Sequence, residues 1–100
     1  MLNEEDFPGA DLVAQGLADL SADRLTVNAL LVAIGAPRLR RLGLTLPPVA
    51  RIPKRPEHRL YDLLAHEPDA HTRYNGLIRR LVSYEHAREL AIARARRATK

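Results

Sequence analysis

The chain has 100 residues and no cysteine, and its 16 basic and 12 acidic side chains give a formal net charge of +4. Disulfides, thiolate metal sites and cysteine nucleophiles are therefore excluded. The length predicts one domain over residues 1–100. Its core must be aliphatic, because the chain has one Phe, three Tyr and no Trp and aromatic side chains usually supply much of the buried area.

The charges are segregated along the sequence. Residues 1–36 carry six acids and one base, a net charge of −5, whereas residues 37–60 have a net charge of +6 and residues 61–100 of +3. Segregated charge can steer a charged partner or pair one part of a chain with another. We therefore expect the acidic N-terminal part to complement a basic part of the same chain or of a second copy.

The first helical half, residues 10–43, begins with a helix over residues 11–20. Apolar side chains recur there at helical spacing on one side. Asp11 suits the positive N-terminal end of a helix dipole. The following residues, 21–23, predict a break.

A second helix is predicted from Val27 to Ile34, with Thr26 or Asp23 as its N-cap. Gly35 is expected to end this helix, because glycine accepts the left-handed conformation of a helix C-terminus. Pro37 would then start one or two short turns that stop at Gly43, since proline suits the first helical position.

Residues 44–56 form a proline-rich connector between two helical halves. Four prolines in ten positions remove backbone donors and fix φ, which excludes a helix and disfavours a central strand. The connector is too apolar to be a free linker. The side chains expected to anchor it to the core are Leu44, Leu46, Val49 and Ile52.

In the second helical half, residues 57–98, apolar spacing predicts two helices. The first is short, covers residues 57–67 and ends at Pro68; the second is a long basic C-terminal helix. An apolar stripe from Tyr74 to Val82 crosses Asn75-Gly76, which is also a turn signal. The stripe favours a helix. The predicted fold is all-α, a small array of four or five helices. In a rival topology the C-terminal helix projects and dimerises.

The last helix has a basic face formed by arginines. At 100° per residue, five of them fall within an arc of about 120°: Arg73, Arg79, Arg80, Arg94 and Arg97. The planar guanidinium suits phosphate, so this face is a candidate nucleic-acid or phosphate contact. The alternative is a solvated face, since cations also favour the C-terminal end of a helix.

A second basic cluster lies on the predicted turn and the connector. The candidate contacts there are Arg38, Arg40 and Arg41, followed by Arg51, Lys54 and Arg55. Residues 25–43 also suggest a helix-turn-helix at low resolution. Against that reading, the second helix would have about six residues, fewer than a recognition helix usually needs. An ordinary helical corner is the alternative.

Catalytic and metal signatures are weak. His66, Glu67, Asp69 and His71 are plausible metal ligands within six residues, but Asp69 also suits a helix cap and Glu67 a surface acid. Ser83 lies three residues from His86, without an orienting group or an oxyanion donor set. We therefore predict no catalytic, metal or cofactor-binding residue, and a chain that is not an enzyme.

These patterns favour a small non-catalytic helical protein-interaction module that binds a protein partner or itself, as a homodimer. The alternative is a nucleic-acid-binding regulatory or accessory protein that uses the arginine face. The 14 arginines against two lysines are typical of a GC-rich genome, and we expect a bacterial origin. No apolar run approaches the length of a bilayer span and the N-terminus is acidic, so we expect a cytoplasmic protein without a membrane interaction.

Overall fold

Helices make up most of the computed structural model, which describes residues 4–98. No strand occurs within that range. The predicted all-α array is confirmed, and the described residues form four α-helices: α1 (Ala10–Ser21), α2 (Val27–Arg41), α3 (Pro56–Leu64) and α4 (Ala70–Ala98). Short 3-10 turns lie at Glu4–Asp6 and Val49–Arg51. The predicted domain also includes residues 1–3, 99 and 100, which lie outside the described residues.

Local sequence explains where α1 and α2 begin. Gly9 precedes α1 with a φ of 75°, a conformation that favours glycine, and its carbonyl accepts a hydrogen bond from Val13 N. Thr26 caps α2, because its Oγ1 accepts from Ala29 N at 3.2 Å. Of the two predicted caps, Thr26 is therefore the one used.

α2 does not end at Gly35, and Pro37 does not start a new helix; both predictions are wrong. The helix continues to Arg41 with Pro37 inside it. Gly35 instead permits close packing on α4, since a Cβ there would lie 3.1 Å from Glu85 Oε2. Pro37 is exposed, whereas Leu39 is fully buried. Burial of the continuing apolar face outweighs the hydrogen bond that proline removes.

The helix-turn-helix interpretation of residues 25–43 is wrong for the same reason. Residues 27–41 are one continuous helix, so this part of the chain has no turn between two helices. The arginines at 38, 40 and 41 therefore belong to the last turn of α2. Their positive charges interact favourably with the negative, C-terminal end of the helix dipole.

The core lies around α2, which contacts α1, α3 and α4. Its largest fully buried side chains are mostly leucines, joined by one tyrosine from α4: Leu30, Leu31, Leu39, Leu60, Leu64 and Tyr84. α1 and α2 pack closely because Gly16 has no side chain. A Cβ there would lie 2.3 Å from Asn28 O. The core is aliphatic, as the composition predicts.

The connector is irregular apart from its short 3-10 turn, as its prolines predict. Leu44, Leu46 and Ile52 pack against the core, whereas Val49 is 73% exposed and anchors nothing. Arg51 holds the connector to the loop between α1 and α2. Its Nη2 lies 2.8 Å from Asp23 Oδ1.

α3 ends at Leu64, three residues before the predicted end, and α4 starts at Ala70, four residues before the apolar stripe. α4 crosses Asn75-Gly76 without a break, so the helix interpretation of that pair is confirmed. With 29 residues, α4 is about 43 Å long. Three of its residues are buried, namely Leu81, Tyr84 and Glu85, and residues 94–98 are all exposed.

Candidate interaction site

Acidic partners within the chain divide the predicted arginine face of α4. Arg73 Nε lies 3.1 Å from Glu67 Oε2, and Arg80 Nη2 lies 3.1 Å from Asp11 Oδ1. The other three arginines of the face, Arg79, Arg94 and Arg97, are exposed and form no ion pair with any residue from 4 to 98. The five residues share a helix without forming one unpaired surface.

The acidic N-terminal segment packs against α4. Glu4 Oε1 accepts a hydrogen bond from the Tyr84 hydroxyl and lies 2.7 Å from Arg88 Nη1. The Phe7 ring meets the Tyr84 ring edge-on at 6.1 Å. Of the two pairings expected from the charge map, the one within a single chain is therefore present. It reduces the positive charge of α4 on the side that faces α1.

Hydrogen bonding and burial shift the pKa values of this contact in opposite directions. The hydrogen bond from Tyr84, and to a lesser extent Arg88, holds the pKa of Glu4 below its ordinary value. Burial, and then the bond to Glu4, raises the pKa of Tyr84. Near neutral pH the contact thus joins a carboxylate to a phenol. Arg88 was not among the predicted contacts, because its position lies on the core side of α4, away from the arginine arc.

Two of the three basic residues of α2 bind acids of α4 or a carbonyl of the connector. Arg38 Nη2 lies 2.9 Å from Glu89 Oε2, and its Nη1 lies 3.5 Å from Glu85 Oε1. Arg40 donates to the carbonyl of Pro47. Arg41 is exposed and forms no ion pair within the described chain.

Glu85 is a buried acid that sequence reasoning missed. It is 4% exposed and lies where α2 and α4 meet at Gly35. Burial raises the pKa of Glu85, and the positive charges of Arg38 and Arg41 oppose that rise. The signal was weak, since Glu85 lies beyond the apolar stripe that ends at Val82 and a charged residue is usually assigned to the surface.

The side of α4 that faces away from the core carries an exposed stripe. We call it the outer stripe: Arg79, Val82, His86, Leu90 and Arg97. These five positions fall within about 80° of the helix circumference. Val82 is 46% exposed and Leu90 is 42% exposed, although both are large apolar side chains. The two acids of α4, Glu85 and Glu89, lie outside the stripe.

A pocket opens between the last turn of α2 and the last turns of α4. We call it the α2/α4 pocket; it is lined by Arg38, Arg41, Leu42, Glu89, Ile92, Ala93 and Arg96. The fold therefore brings the predicted Arg38 and Arg41 together with Arg96, which was not predicted. Arg40 is held at the connector, and Arg73, Arg79 and Arg80 lie near the other end of α4.

The side chains of residues 66–71, which were weighed as metal ligands, form contacts within the fold. Glu67 pairs with Arg73, and His71 Nε2 lies 3.2 Å from Asn75 Nδ2. Asp69 precedes α4, and its carbonyl accepts from Arg73 N. Within residues 4–98 we find no group of three or more His, Asp or Glu side chains arranged to hold a metal ion.

Comparison with known proteins adds no functional assignment. No family model matches the chain, and neither the curated proteins nor the solved structures include a significant match. None of the helices among the described residues is both long enough and apolar enough to span a bilayer. The surface chemistry of the chain is therefore the basis for a functional proposal.

Proposed function

We propose that this protein is a non-catalytic helical interaction module, and that it binds an acidic protein partner through the outer stripe of α4. The observation that carries the proposal is the composition of that stripe. It pairs two exposed apolar side chains, Val82 and Leu90, with two arginines that have no ion-pair partner within residues 4–98, Arg79 and Arg97.

The spacing of the stripe fits recognition by a second helix. Val82, His86 and Leu90 follow one another at intervals of four residues, which places them on successive turns of one face. A partner helix or groove can bury such a row while its acids meet the flanking arginines. The charged rim would set orientation and association rate, and the apolar side chains would supply area removed from water.

A second copy of the same stripe is a poor partner. In an antiparallel pairing centred between His86 and Leu90, Arg79 of one copy would face Arg97 of the other. In a parallel pairing, each arginine would face its equivalent. Like charges in direct opposition are unfavourable, so charge complementarity favours an acidic partner over a homodimer through this face.

Nucleic acid is the alternative partner, and the unpaired Arg79, Arg94 and Arg97 favour it. Two features favour protein. A phosphate backbone makes little use of Val82 and Leu90, because its contacts are mainly charged and polar. The acids Glu4 and Asp11 also lie beside α4, where they would repel phosphates.

Neutral substitutions in the stripe separate the two partners. We would titrate the ¹⁵N-labelled protein with a helical peptide of repeating Glu and Leu, and separately with a 20-base-pair DNA duplex. Val82→Ser with Leu90→Ser should weaken peptide binding by about tenfold, because these changes remove apolar area without changing charge. They should leave duplex binding unchanged.

Val49→Ser is the matched control, since Val49 is the more exposed valine and lies on the connector. It should leave peptide affinity unchanged, and the shifted amide signals should lie on α4 between residues 79 and 97. If the double serine variant bound the peptide as tightly as the native protein does, the protein proposal would be contradicted. Tight, salt-dependent duplex binding would then support the nucleic-acid alternative, and no binding of either probe would reject both.

A further inference from the structure

A second exposed apolar surface lies where the loop between α1 and α2 meets α3. Leu25 of the loop is 43% exposed, and Leu63 of α3 is 41% exposed. Both line one depression, together with Arg59, Asp62 and the fully buried Leu30. We call these five residues the Leu25/Leu63 patch. None of them belongs to α4, so the patch is separate from the outer stripe.

The patch carries one base and one acid that are available to a partner. Arg59 and Asp62 are both exposed, and neither forms an ion pair with any residue from 4 to 98. They are three residues apart on one helix, which places them on the same side of it. Each can therefore bind an opposite charge on a second molecule without first giving up an ion pair inside the chain.

The helix dipole does not account for these two charges. A dipole favours acids near the N-terminal end of a helix and bases near the C-terminal end. In α3, which spans Pro56–Leu64, Arg59 is the one nearer the N-terminal end and Asp62 lies in the last turn. This order is the reverse of the favourable one, so the stability of α3 does not explain why the two residues are where they are.

We infer that the Leu25/Leu63 patch binds the same patch of a second copy in a two-fold symmetric dimer. A two-fold axis brings identical surfaces together, so each contact occurs twice. In an antiparallel pairing of two α3 helices centred between residues 60 and 61, Arg59 of each copy faces Asp62 of the other. The dimer gains two ion pairs between the copies, and it covers the exposed leucines of both.

Charge complementarity distinguishes this surface from the outer stripe. The outer stripe has two arginines and no acid, so a second copy would place like charges together there. The Leu25/Leu63 patch has both signs and no net charge, so a strongly acidic or strongly basic partner would meet a like charge on it. A second copy of the patch meets only opposite charges, and it is therefore the partner that fits.

The patch is small, with two exposed leucines in each copy. Small interfaces are at the low end of buried area, where association is weak and transient. We therefore expect a dissociation constant on the order of 100 μM. At low micromolar concentration the protein is then a monomer.

The test is sedimentation equilibrium of the whole protein from about 10 μM to about 1 mM, a range that brackets the expected dissociation constant. The native protein should dimerise in the upper part of this range. Arg59→Glu puts two acids in each patch and Asp62→Arg puts two bases there, so each variant alone should dimerise at least about tenfold more weakly. An equimolar mixture of the two variants should form a dimer with one copy of each, because every acid again faces a base.

Arg94→Glu is the matched control, because Arg94 is also an exposed arginine without an ion pair in residues 4–98 and lies outside the patch. It should dimerise as the native protein does. A native protein that stays monomeric at about 1 mM, or equal losses in Arg59→Glu and Arg94→Glu, would overturn the inference. So would a mixture of Arg59→Glu and Asp62→Arg that does not associate while circular dichroism shows both variants folded. Because the patch shares no residue with the outer stripe, failure here leaves peptide binding to that stripe intact.

Discussion

Two regions of the molecule differ in packing: the contact between α1 and α2 is close, whereas the last turns of α4 are exposed. At Gly16 the backbones of α1 and α2 approach so closely that a Cβ would lie 2.3 Å from Asn28 O. In α4, residues 94–98 are all exposed, and three of them are arginines. The comparison shows that the close-packed N-terminal helices supply stability, whereas the end of α4 supplies surface charge.

The largest difference should come from truncating one leucine in each region. Leu31 in α2 is 0% exposed, whereas Leu90 in α4 is 42% exposed. Leu31→Ala should lower the free energy of unfolding by about 3 kcal/mol, because it leaves a cavity. Leu90→Ala should change it by less than about 0.5 kcal/mol. Urea unfolding measures both, and equal losses would mean that α4 carries as much of the core as α2.

Two glycines sharpen the same contrast. Gly16→Ala should destabilise the fold by about 2 kcal/mol, because the new methyl group forces α1 and α2 apart. Gly76→Ala should stabilise it by about 0.5 to 1 kcal/mol, because alanine is the better helix former and a Cβ at Gly76 meets nothing within 4 Å. Thermal unfolding of the two variants should shift in opposite directions. Stabilisation by Gly16→Ala would contradict the close approach at Gly16, and destabilisation by Gly76→Ala would contradict the open space at Gly76.

Asp19 should give a smaller, pH-dependent effect in the N-terminal region. It is 6% exposed and accepts hydrogen bonds from Thr26 Oγ1 at 2.7 Å and Gln15 Nε2 at 3.0 Å. The bond from Thr26, with smaller effects of Gln15 and Arg24, holds the pKa of Asp19 below its ordinary value. A lowered folded-state pKa stabilises the fold above the unfolded-state value, and this stabilisation is lost as pH falls through the folded-state value.

Asp19→Asn should therefore be less stable than the native protein at pH 7, and the difference should shrink as pH falls below the ordinary aspartate value of 3.8. Urea unfolding across this pH range provides the measurement. Asp62→Asn is the control, because Asp62 is exposed and forms no ion pair within residues 4–98. A difference that stays constant with pH would show that the carboxylate charge is not what stabilises the contact.

Glu85 should give the smallest effect, with the opposite sign. Burial raises its pKa, so the folded protein holds this proton more tightly than the unfolded chain. The contribution of Glu85 to stability therefore increases as pH falls from the raised value toward the ordinary value of 4.5. Glu85→Gln should remove this pH dependence while Arg38 keeps its ion pair with Glu89. An unchanged pH profile would contradict the burial of the charge.

The fold class was predictable from the sequence because apolar spacing, prolines and the Thr26 cap are local signals. The continuation of α2 past Gly35 was not, because it depends on burying Leu39 and on the close approach of Gly35 to α4. Those contacts join parts of the chain about fifty residues apart. Local rules that read Gly35 as a stop and Pro37 as a start therefore gave the wrong boundary.

The candidate surface was predictable in part. Helical geometry placed the arginines of α4 on one side, but it could not show that Arg73 and Arg80 would pair with Glu67 and Asp11. Nor could it show that Arg96 would share a pocket with Arg41. Both results depend on how α1 and α2 pack against α4, which a one-dimensional charge map does not contain.

The contact between Glu4 and Tyr84 also has a consequence for the order of folding. α1 and α2 are joined by a short loop, so their contacts are local and can form early. Glu4 and Tyr84 are 80 residues apart, so their meeting closes a loop that includes most of the protein. The N-terminal turn should therefore dock late, and Glu4→Gln should speed unfolding while leaving the refolding rate nearly unchanged.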